Sequence, residues 1–166
     1  MIALLRSQRW PALAAALLAL SAPAHAATFR GVVTHVTDGD SIWVRPDAGG
    51  APREVRIHGI DAPEICQRFG DRSRRALAAQ VLHRPVMVKS RAQDSYQRTL
   101  AKVSAGGQDV GGWMVRHGHA WSYRFRGKGG PYMAEESSAR NARLGLWNDA
   151  ELVNPRQFRK QHGSCF

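Results

Sequence analysis

The stretch VTHVTDGDSIWV, residues 33–44, is typical of two short β-strands joined by a tight turn. Asp38-Gly39 predicts a type I′ hairpin turn, because such turns need positive φ angles, which glycine adopts at little cost. Side chains alternate along a strand, so Asp40 begins the apolar face that Ile42 continues. A hairpin turn does not explain a carboxylate in that position, and the partner of Asp40 must be sought elsewhere in the chain.

The surrounding sequence alternates between strand and helix patterns. Strands are predicted at 28–37, 40–46, 53–60, 86–91 and 98–105, and the segment 119–125 is expected to be extended. Helical spacing of apolar residues predicts helices over 71–84, from Val110 to His117, and over 131–144, with Asp109 as an N-cap and Gly118 and Gly145 at C′ positions. Five strands with about three helices indicate a small α+β domain that closes into a β-barrel.

The first 26 residues predict a cleaved secretory signal. Arg6 and Arg9 precede a short apolar run, and cleavage is expected after Ala26. A single membrane anchor is the alternative, but the run is shorter than the roughly 20 residues that a span needs, and two prolines interrupt it. Residues 27–166 are then one domain with a C-terminal tail, released to the periplasm or the medium without stable membrane association.

The charge of the chain favours an anionic partner. The formal net charge is +11, and residues 1–26 contain two of the 24 basic residues and none of the 13 acidic ones, which leaves +9. Nucleic acid, phospholipid headgroups and acidic polymers all suit such a charge. A charge of this size also serves solubility alone, so the composition does not choose among these partners.

The two cysteines permit a disulfide. In an oxidising compartment Cys66 and Cys165 could tie the C-terminal tail to the segment that follows Glu64, while two free thiols or an intermolecular link stay open. Two cysteines without histidine at ligand spacing argue against structural zinc. His117 and His119 would share a face at strand spacing, but no third ligand is evident near them.

A second polar segment, VRIHGIDAPE (55–64), places Arg56, Asp61 and Glu64 around a glycine and a proline. Taken alone, it is compatible with an ordinary strand end. Asp40 and Asp61, however, would repel each other at the ends of neighbouring strands. A hard divalent cation relieves such repulsion, because Ca²⁺ and Mg²⁺ bind carboxylate, carbonyl and water oxygens.

A third segment, DSYQRTLAKV (94–103), places Arg98 where a loop enters a strand. An arginine in that position is ordinarily a solvated charge. Arg56 and Arg98 together could instead bind a phosphate bidentately and stabilise charge that develops on it.

Together these segments resemble the staphylococcal nuclease family over about residues 29–148. The resemblance is carried by DGDS (38–41), RIHGIDAPE (56–64), YQRTLA (96–101) and ARNARLGLW (139–147). It implies a five-stranded OB-type β-barrel with three helices. It also implies Ca²⁺-dependent hydrolysis of DNA and RNA by cleavage of the P–O5′ bond, which leaves 3′-phosphate ends.

The resemblance assigns the acidic residues to a metal centre. Asp40, Asp61 and the backbone carbonyl of Ala62 would bind Ca²⁺, and Asp38 would lie just outside the ligands. Glu64 would hold, and in one version of the mechanism deprotonate, the attacking water.

The resemblance assigns the remaining residues to the substrate. Arg56 and Arg98 would grip the scissile phosphate, and Tyr96 would contact a terminal phosphate. Tyr123 is the candidate for base stacking, while its neighbours Trp121 and Phe125 suit the core equally well.

Two positions depart from the family pattern. Ser95 stands where the founding member has lysine, which removes a phosphate contact, and Gln97 replaces a glycine, which predicts a stiffer loop.

Two other functions remain as alternatives to a monomeric secreted nuclease. A non-catalytic OB-fold nucleic-acid-binding protein should lack some of the acidic and arginine residues named above, and all are present. An envelope protein that binds anionic lipid through bulk charge would need none of the three segments.

Overall fold

The computed structural model describes residues 27–124, 129–163 and 165. The predicted signal, residues 1–26, and Phe125 lie outside the described residues. None of the helices in the described ranges is long and apolar enough to cross a membrane.

Five strands form a closed barrel. The strands of the chain are β1 (Thr28–Val36), β2 (Ser41–Pro46), β3 (Arg53–Ile57), β4 (Ile60–Asp61), β5 (Pro85–Gln93), β6 (Thr99–Ala105), β7 (Gln108–Asp109) and β8 (Trp121–Ser122). Antiparallel pairing gives the order β3-β2-β1-β5-β6, and a parallel pairing of β3 with β6 closes the barrel. Alternate residues point inward, and Val33, Val44, Val55, Val88 and Val103 are buried in its core. The predicted α+β barrel is confirmed.

In the part of the chain that the structure describes, four α-helices surround the barrel, whereas about three were predicted. They are α1 (Gly70–Val81), α2 (Val110–Arg116), α3 (Met133–Asn141) and α4 (Pro155–His162), with a 3-10 turn over Gly145–Asn148. The first three match the predicted helices, and Asp109 caps α2 as expected by accepting from the amides of Gly111 and Gly112. The fourth occupies the segment assigned to a tail. Its start is marked by an Asn154 cap followed by Pro155, a pairing that favours helix initiation.

The first helix ends earlier than predicted because the following segment pairs with β1. The prediction extended it to residue 84, but it ends at Val81, and Leu82 is extended and bridges to Val33. The amide of His83 donates to the Val33 carbonyl at 2.9 Å. Pro85, expected to end the helix, is the first residue of β5.

The predicted strand over 53–60 is divided by a turn at Gly59, whose φ is +88°. The chain then forms β4, which pairs with β8 rather than with the barrel. The expected extended segment over 119–125 is a strand only at Trp121–Ser122. This turn carries Asp61 away from the line of β3 and toward the mouth of the barrel.

The third helix ends at a residue other than the predicted glycine. Arg143 takes the left-handed C′ position, with φ +50°, and the amide of Leu144 donates to the Ala139 carbonyl at 2.9 Å. Gly145 instead packs against Gly118, where an added Cβ would lie 2.2 Å from the carbonyl oxygen of Gly118. Gly118 itself occupies the C′ position of α2, as predicted, with φ +69°.

Candidate active site

The turn before Asp40 differs from the predicted hairpin. Gly39 does not have a positive φ, so the type I′ prediction is wrong. Asp38 Oδ1 accepts from the Asp40 amide at 2.9 Å and shapes the loop locally. Gly39 is required by close packing, since an added Cβ would lie 1.9 Å from Ser73 Oγ and 2.7 Å from the Ala62 Cβ. The turn therefore packs against Ser73 of α1 and against Ala62, the residue that follows Asp61.

Asp40 and Asp61 are buried at the mouth of the barrel, with 2% and 3% of their surfaces exposed. Asp40 Oδ2 accepts from the Ala62 amide at 2.9 Å, and Asp40 Oδ1 accepts from Ser41 Oγ at 3.1 Å. These bonds hold the start of β2 against the segment that leaves β4. The carboxylates of Asp40 and Asp61, which the sequence predicted to lie close together, are both at this mouth.

One guanidinium bridges the two carboxylates. Arg56, from β3, donates through Nη1 to Asp40 Oδ1 at 2.7 Å and through Nη2 to Asp61 Oδ1 at 3.1 Å. Attraction to Asp40 raises the pKa of the Arg56 guanidinium, although burial opposes its charge. Arg56 is therefore a fixed cation that both acidic groups share.

A second guanidinium, Arg159, reaches the cluster from α4. Its Nη1 donates to Glu64 Oε1 at 2.6 Å and to Asp61 Oδ1 at 3.2 Å, and its Nη2 donates to Asp61 Oδ2 at 3.2 Å. Burial opposes the charge of Arg159, but bonds to Asp61 and Glu64 raise the pKa of its guanidinium. No sequence pattern singled out Arg159 as a site residue. The sequence signal that could have indicated Arg159 is a helix start at Asn154 followed by a basic segment without acidic residues.

Among the described residues, negative charge at the mouth of the barrel exceeds positive charge. Two guanidiniums face four carboxyl groups, those of Asp38, Asp40, Asp61 and Glu64. Burial and repulsion from Asp40 raise the pKa of Asp38 to about 7. Burial, and then repulsion from Asp40, also raises the pKa of Asp61 in spite of its two arginine partners. Even with Asp38 half protonated near neutral pH, the cluster has room for a further positive charge.

The donor set suits a hard cation. The carboxylates of Asp40 and Asp61 and the carbonyl of Ala62 are oxygen ligands of the kind that Ca²⁺ prefers. Among residues 27–124, 129–163 and 165, no group of three His, Cys, Asp or Glu side chains is arranged to hold a metal ion. The predicted site differs from such a group because its third protein ligand is a backbone oxygen.

Comparison with known proteins places the chain in a family. Residues 54–149 match the family model described as "Staphylococcal nuclease homologue". The chain belongs to the staphylococcal nuclease family. It is 40% identical over 161 residues to "Protein ParB" of Escherichia coli, covering 90% of this chain and 89% of that protein. It is 40% identical over 160 residues to "Micrococcal nuclease" of Shigella flexneri (89% of each chain), and 34% identical over 129 residues to an "Uncharacterized endonuclease" of Haemophilus influenzae (78% and 72%).

Membership of the staphylococcal nuclease family, together with these relatives, supports a nuclease function. The resemblance carried by the three polar segments is confirmed. The fold agrees, since the described residues form the closed five-stranded barrel that the family resemblance implies.

Arg98, the second arginine that the staphylococcal nuclease resemblance assigns to the phosphate, is held apart from the acidic cluster. It donates through Nε to Asp94 Oδ2 at 2.8 Å, and Asp94 Oδ1 accepts from the amides of Tyr96 and Arg98. Arg56 pairs in register with Leu100 of β6. Arg98 lies two residues before Leu100, immediately ahead of Thr99, the first residue of β6.

The loop before Arg98 is shaped by Gln97, where the family's founding member has glycine. Gln97 has a φ of +62°, a region that disfavours residues with a Cβ. Tyr96 is 78% exposed, and the Arg98 guanidinium lies 5.2 Å from its ring centroid. The loop thus presents an aromatic ring to solvent beside a cation, as a phosphate contact by Tyr96 requires.

The aromatic candidates at β8 fall in different environments. Trp121 is 6% exposed and contacts Trp147 edge to face at 5.4 Å, so it belongs to the interior. Tyr123 is 40% exposed, and its amide donates to the Gly59 carbonyl at 2.9 Å. Tyr123 therefore stays available for contact with a ligand.

His117 and His119, the alternative zinc pair, have structural surroundings. The ring of His117 stacks on Trp113 at 4.3 Å, and its Nδ1 lies 2.8 Å from the Trp113 carbonyl. The ring of His119 stacks against the same indole at 5.7 Å, and burial lowers the pKa of His119. Both imidazoles pack on an aromatic side chain, which favours a structural role.

Proposed function

We propose that the chain is an exported, Ca²⁺-dependent nuclease that hydrolyses DNA and RNA at the P–O5′ bond and leaves 3′-phosphate ends. The observation that carries the proposal is the acidic cluster, in which four carboxyl groups share two guanidiniums among the described residues; these are Asp38, Asp40, Asp61 and Glu64 with Arg56 and Arg159. The similarity to a protein named micrococcal nuclease supports the same conclusion.

Asp40, Asp61 and the Ala62 carbonyl would hold the ion, and Asp38 would orient Asp40 through the bond to its amide. When bound, Ca²⁺ would neutralise a phosphodiester oxygen and lower the cost of bringing a nucleophile to it. Burial, and then repulsion from Asp40, opposes the charge of Asp61 and raises its pKa, and an added cation would offset both effects.

Glu64 and the two arginines would perform the chemistry at the phosphate. Glu64 would accept a hydrogen bond from the attacking water and receive its proton at a carboxylate oxygen. Arg56, already placed between two acidic groups, would donate to the phosphate oxygens as negative charge grows on them in the transition state. Arg98 would leave Asp94 and donate to the leaving 5′ oxygen.

Two exposed tyrosines would contact the rest of the substrate. Tyr96, next to Arg98, would bind a terminal phosphate through its hydroxyl. Tyr123 would stack on a base, a contact that tolerates any sequence because every base has a flat face. The net charge of +9 for residues 27–166 would draw a polyanion to this surface.

Export as a monomer completes the proposal. Residues 1–26 would direct secretion and be removed, leaving the protein in the periplasm or the medium. The Sγ atoms of Cys66 and Cys165 are joined in a disulfide, which is typical of proteins in an oxidising compartment.

The test is a digest of single-stranded DNA, duplex DNA and RNA by the secreted chain, with Ca²⁺ or with excess chelator, followed by end-group analysis. We expect cleavage with 3′-phosphate ends only when Ca²⁺ is present. Arg56→Ala is the matched inactive control. Binding without cleavage would favour the non-catalytic OB-fold protein, and cleavage in excess chelator would exclude the metal role.

A further inference from the structure

The C-terminal segment closes over the acidic cluster from outside the barrel. We call α4 together with Cys165 the C-terminal strap. At one end the Cys66–Cys165 disulfide joins it to the chain two residues after Glu64, across a sequence separation of 99. Two residues before α4 begins, the Val153 carbonyl accepts from Gln67 Nε2 at 2.6 Å. The strap is thus fastened on both sides of Arg159.

Arg159 occupies the oxygens that the proposed function needs. Its guanidinium bonds to both carboxylate oxygens of Asp61, the expected metal ligand, and to Oε1 of Glu64, the expected partner of the attacking water. An oxygen that accepts a charge-assisted hydrogen bond offers less to a cation, and two positive charges at the same carboxylate repel each other. Arg159 and a bound cation therefore compete for Asp61.

We propose that the C-terminal strap is autoinhibitory: Arg159 competes with the divalent cation for Asp61 and occupies the Glu64 oxygen that the attacking water would use, and the Cys66–Cys165 disulfide holds it in place. The identity of the cation rests on the proposed function. The competition itself rests on the contacts of Arg159 and on the covalent tether.

The tether makes the competition effective. A group held close to its partner acts at an effective concentration in the millimolar range, which a free arginine side chain would not reach. The basic charge of the strap complements the negative charge of the acidic cluster. The helix α4 has no acidic residue and contains Arg156, Arg159, Lys160 and His162. Release of Arg159 would leave Asp61 and Glu64 to the cation and the water.

The experiment measures Ca²⁺ binding by calorimetry on the mature chain rather than activity. The variants are Arg159→Ala, the double variant Cys66→Ser/Cys165→Ser, and the matched control Arg156→Ala, which removes an exposed arginine of the same helix. We expect the Kd for Ca²⁺ to fall roughly tenfold in Arg159→Ala, as the loss of a charge-assisted bond at the ligand implies. The double variant should shift the same way, and Arg156→Ala should stay within about twofold of the parent.

Each outcome separates the strap from the proposed function. Equal Kd values in all variants, or equal tightening by Arg156→Ala and Arg159→Ala, would overturn the strap and leave the Ca²⁺ site intact. An unchanged Kd with a raised substrate KM in Arg159→Ala would make Arg159 a substrate contact instead and would equally overturn it. No Ca²⁺ binding in any variant would remove the metal assignment of the proposed function. Arg159→Met, which keeps the apolar stem, replaces the alanine variant if the latter does not fold.

Discussion

Two buried acidic sites in this molecule differ in how their charge is compensated. Glu136, in α3, is 2% exposed and accepts from the Ser122 amide at 2.8 Å. Arg140 donates to its Oε1 through Nε at 2.9 Å and forms an ion pair through Nη2 at 2.8 Å, with Arg124 at 3.4 Å. One carboxylate therefore has two cations and a backbone donor, which is what a buried charge needs in order to be stable.

The mouth of the barrel has the opposite balance. Asp40 and Asp61 are as buried as Glu136, yet they and two further carboxyl groups share Arg56 and Arg159. Burial of a charge is common to both sites, so burial alone does not indicate function. An excess of buried negative charge does indicate function, because such an excess is costly unless a ligand of positive charge binds there.

The largest expected effect is on catalysis at the mouth. Arg56→Ala should lower kcat about 10³-fold, or about 4 kcal/mol, because a donor to the growing charge of the transition state is lost. Steady-state kinetics on single-stranded DNA measures it, with circular dichroism to show that the fold is kept. Arg140→Ala, at the compensated site, is the control and should leave kcat unchanged. An Arg56→Ala enzyme with the parent rate would remove Arg56 from the mechanism.

The next effect is on stability at the compensated site. Glu136→Gln should lower the free energy of unfolding by about 3 kcal/mol, because an amide group would turn an N–H donor toward either the Ser122 amide or Arg140. Urea denaturation measures the loss, and kcat below the unfolding transition should not change. A variant as stable as the parent would mean that the charge of Glu136 is not needed for folding.

The third effect is the response of stability to Ca²⁺. At a free concentration of 100 times Kd, Ca²⁺ should raise the free energy of unfolding by about 2.7 kcal/mol, because it binds only the folded chain. Chelator should remove this increment, and so should Asp61→Asn. Glu136→Gln should keep it in full, since its site has no charge left to compensate. Equal responses of the two variants would contradict the distinction between the sites.

The smallest effect concerns a third acidic group, Asp109, which resembles Glu136 in its compensation. Burial opposes its charge, but bonds from Lys102 and Tyr132 lower the pKa of Asp109 below its usual value. Because the folded state binds the proton less tightly, Asp109 contributes stability above the pKa of the unfolded chain. That stability is lost as pH falls through the lower folded pKa.

Asp109→Asn keeps an oxygen that can cap α2 but loses the charge paired with Lys102, so it should be less stable than the parent at pH 6 by about 1 kcal/mol. The difference should shrink as the pH approaches 3. Urea midpoints at both pH values measure it. If the stability difference between the variant and the parent were the same at both pH values, the effect would come from side-chain packing rather than from the charge of Asp109.

Much of the fold followed from local patterns. Alternating apolar residues predicted the barrel strands, and the Asp109 and Gly118 caps bound α2 as expected. Local rules failed where a distant residue decided the conformation. Gly39 was assigned to a type I′ turn, but a glycine is required there by the close approach of Ser73 from α1. The first helix ended early because residues after it pair with β1.

The candidate site divides in the same way. Asp40 could be singled out from the sequence because a hairpin turn does not explain its carboxylate, and its repulsion from Asp61 pointed to a cation. The roles of Arg56 and Glu64 came from the family resemblance. The family resemblance indicated Arg98 as a site residue, but the sequence did not predict its hydrogen bond to Asp94. Their catalytic and metal-binding roles remain predictions that the experiments above test.

By itself the sequence determined the strands of the barrel and the order of the acidic and basic groups, because these depend on the period of side chains along strands and on short spacings. The family was indicated by the resemblance of four short motifs to the staphylococcal nuclease pattern. Only the tertiary structure decided which cations meet those acids. Arg159 is 95 residues from Glu64 along the chain, and nothing in the local sequence of either residue indicates the other. Coulomb attraction depends on distance in space, and that distance is set when α4 and the disulfide close over the mouth of the barrel.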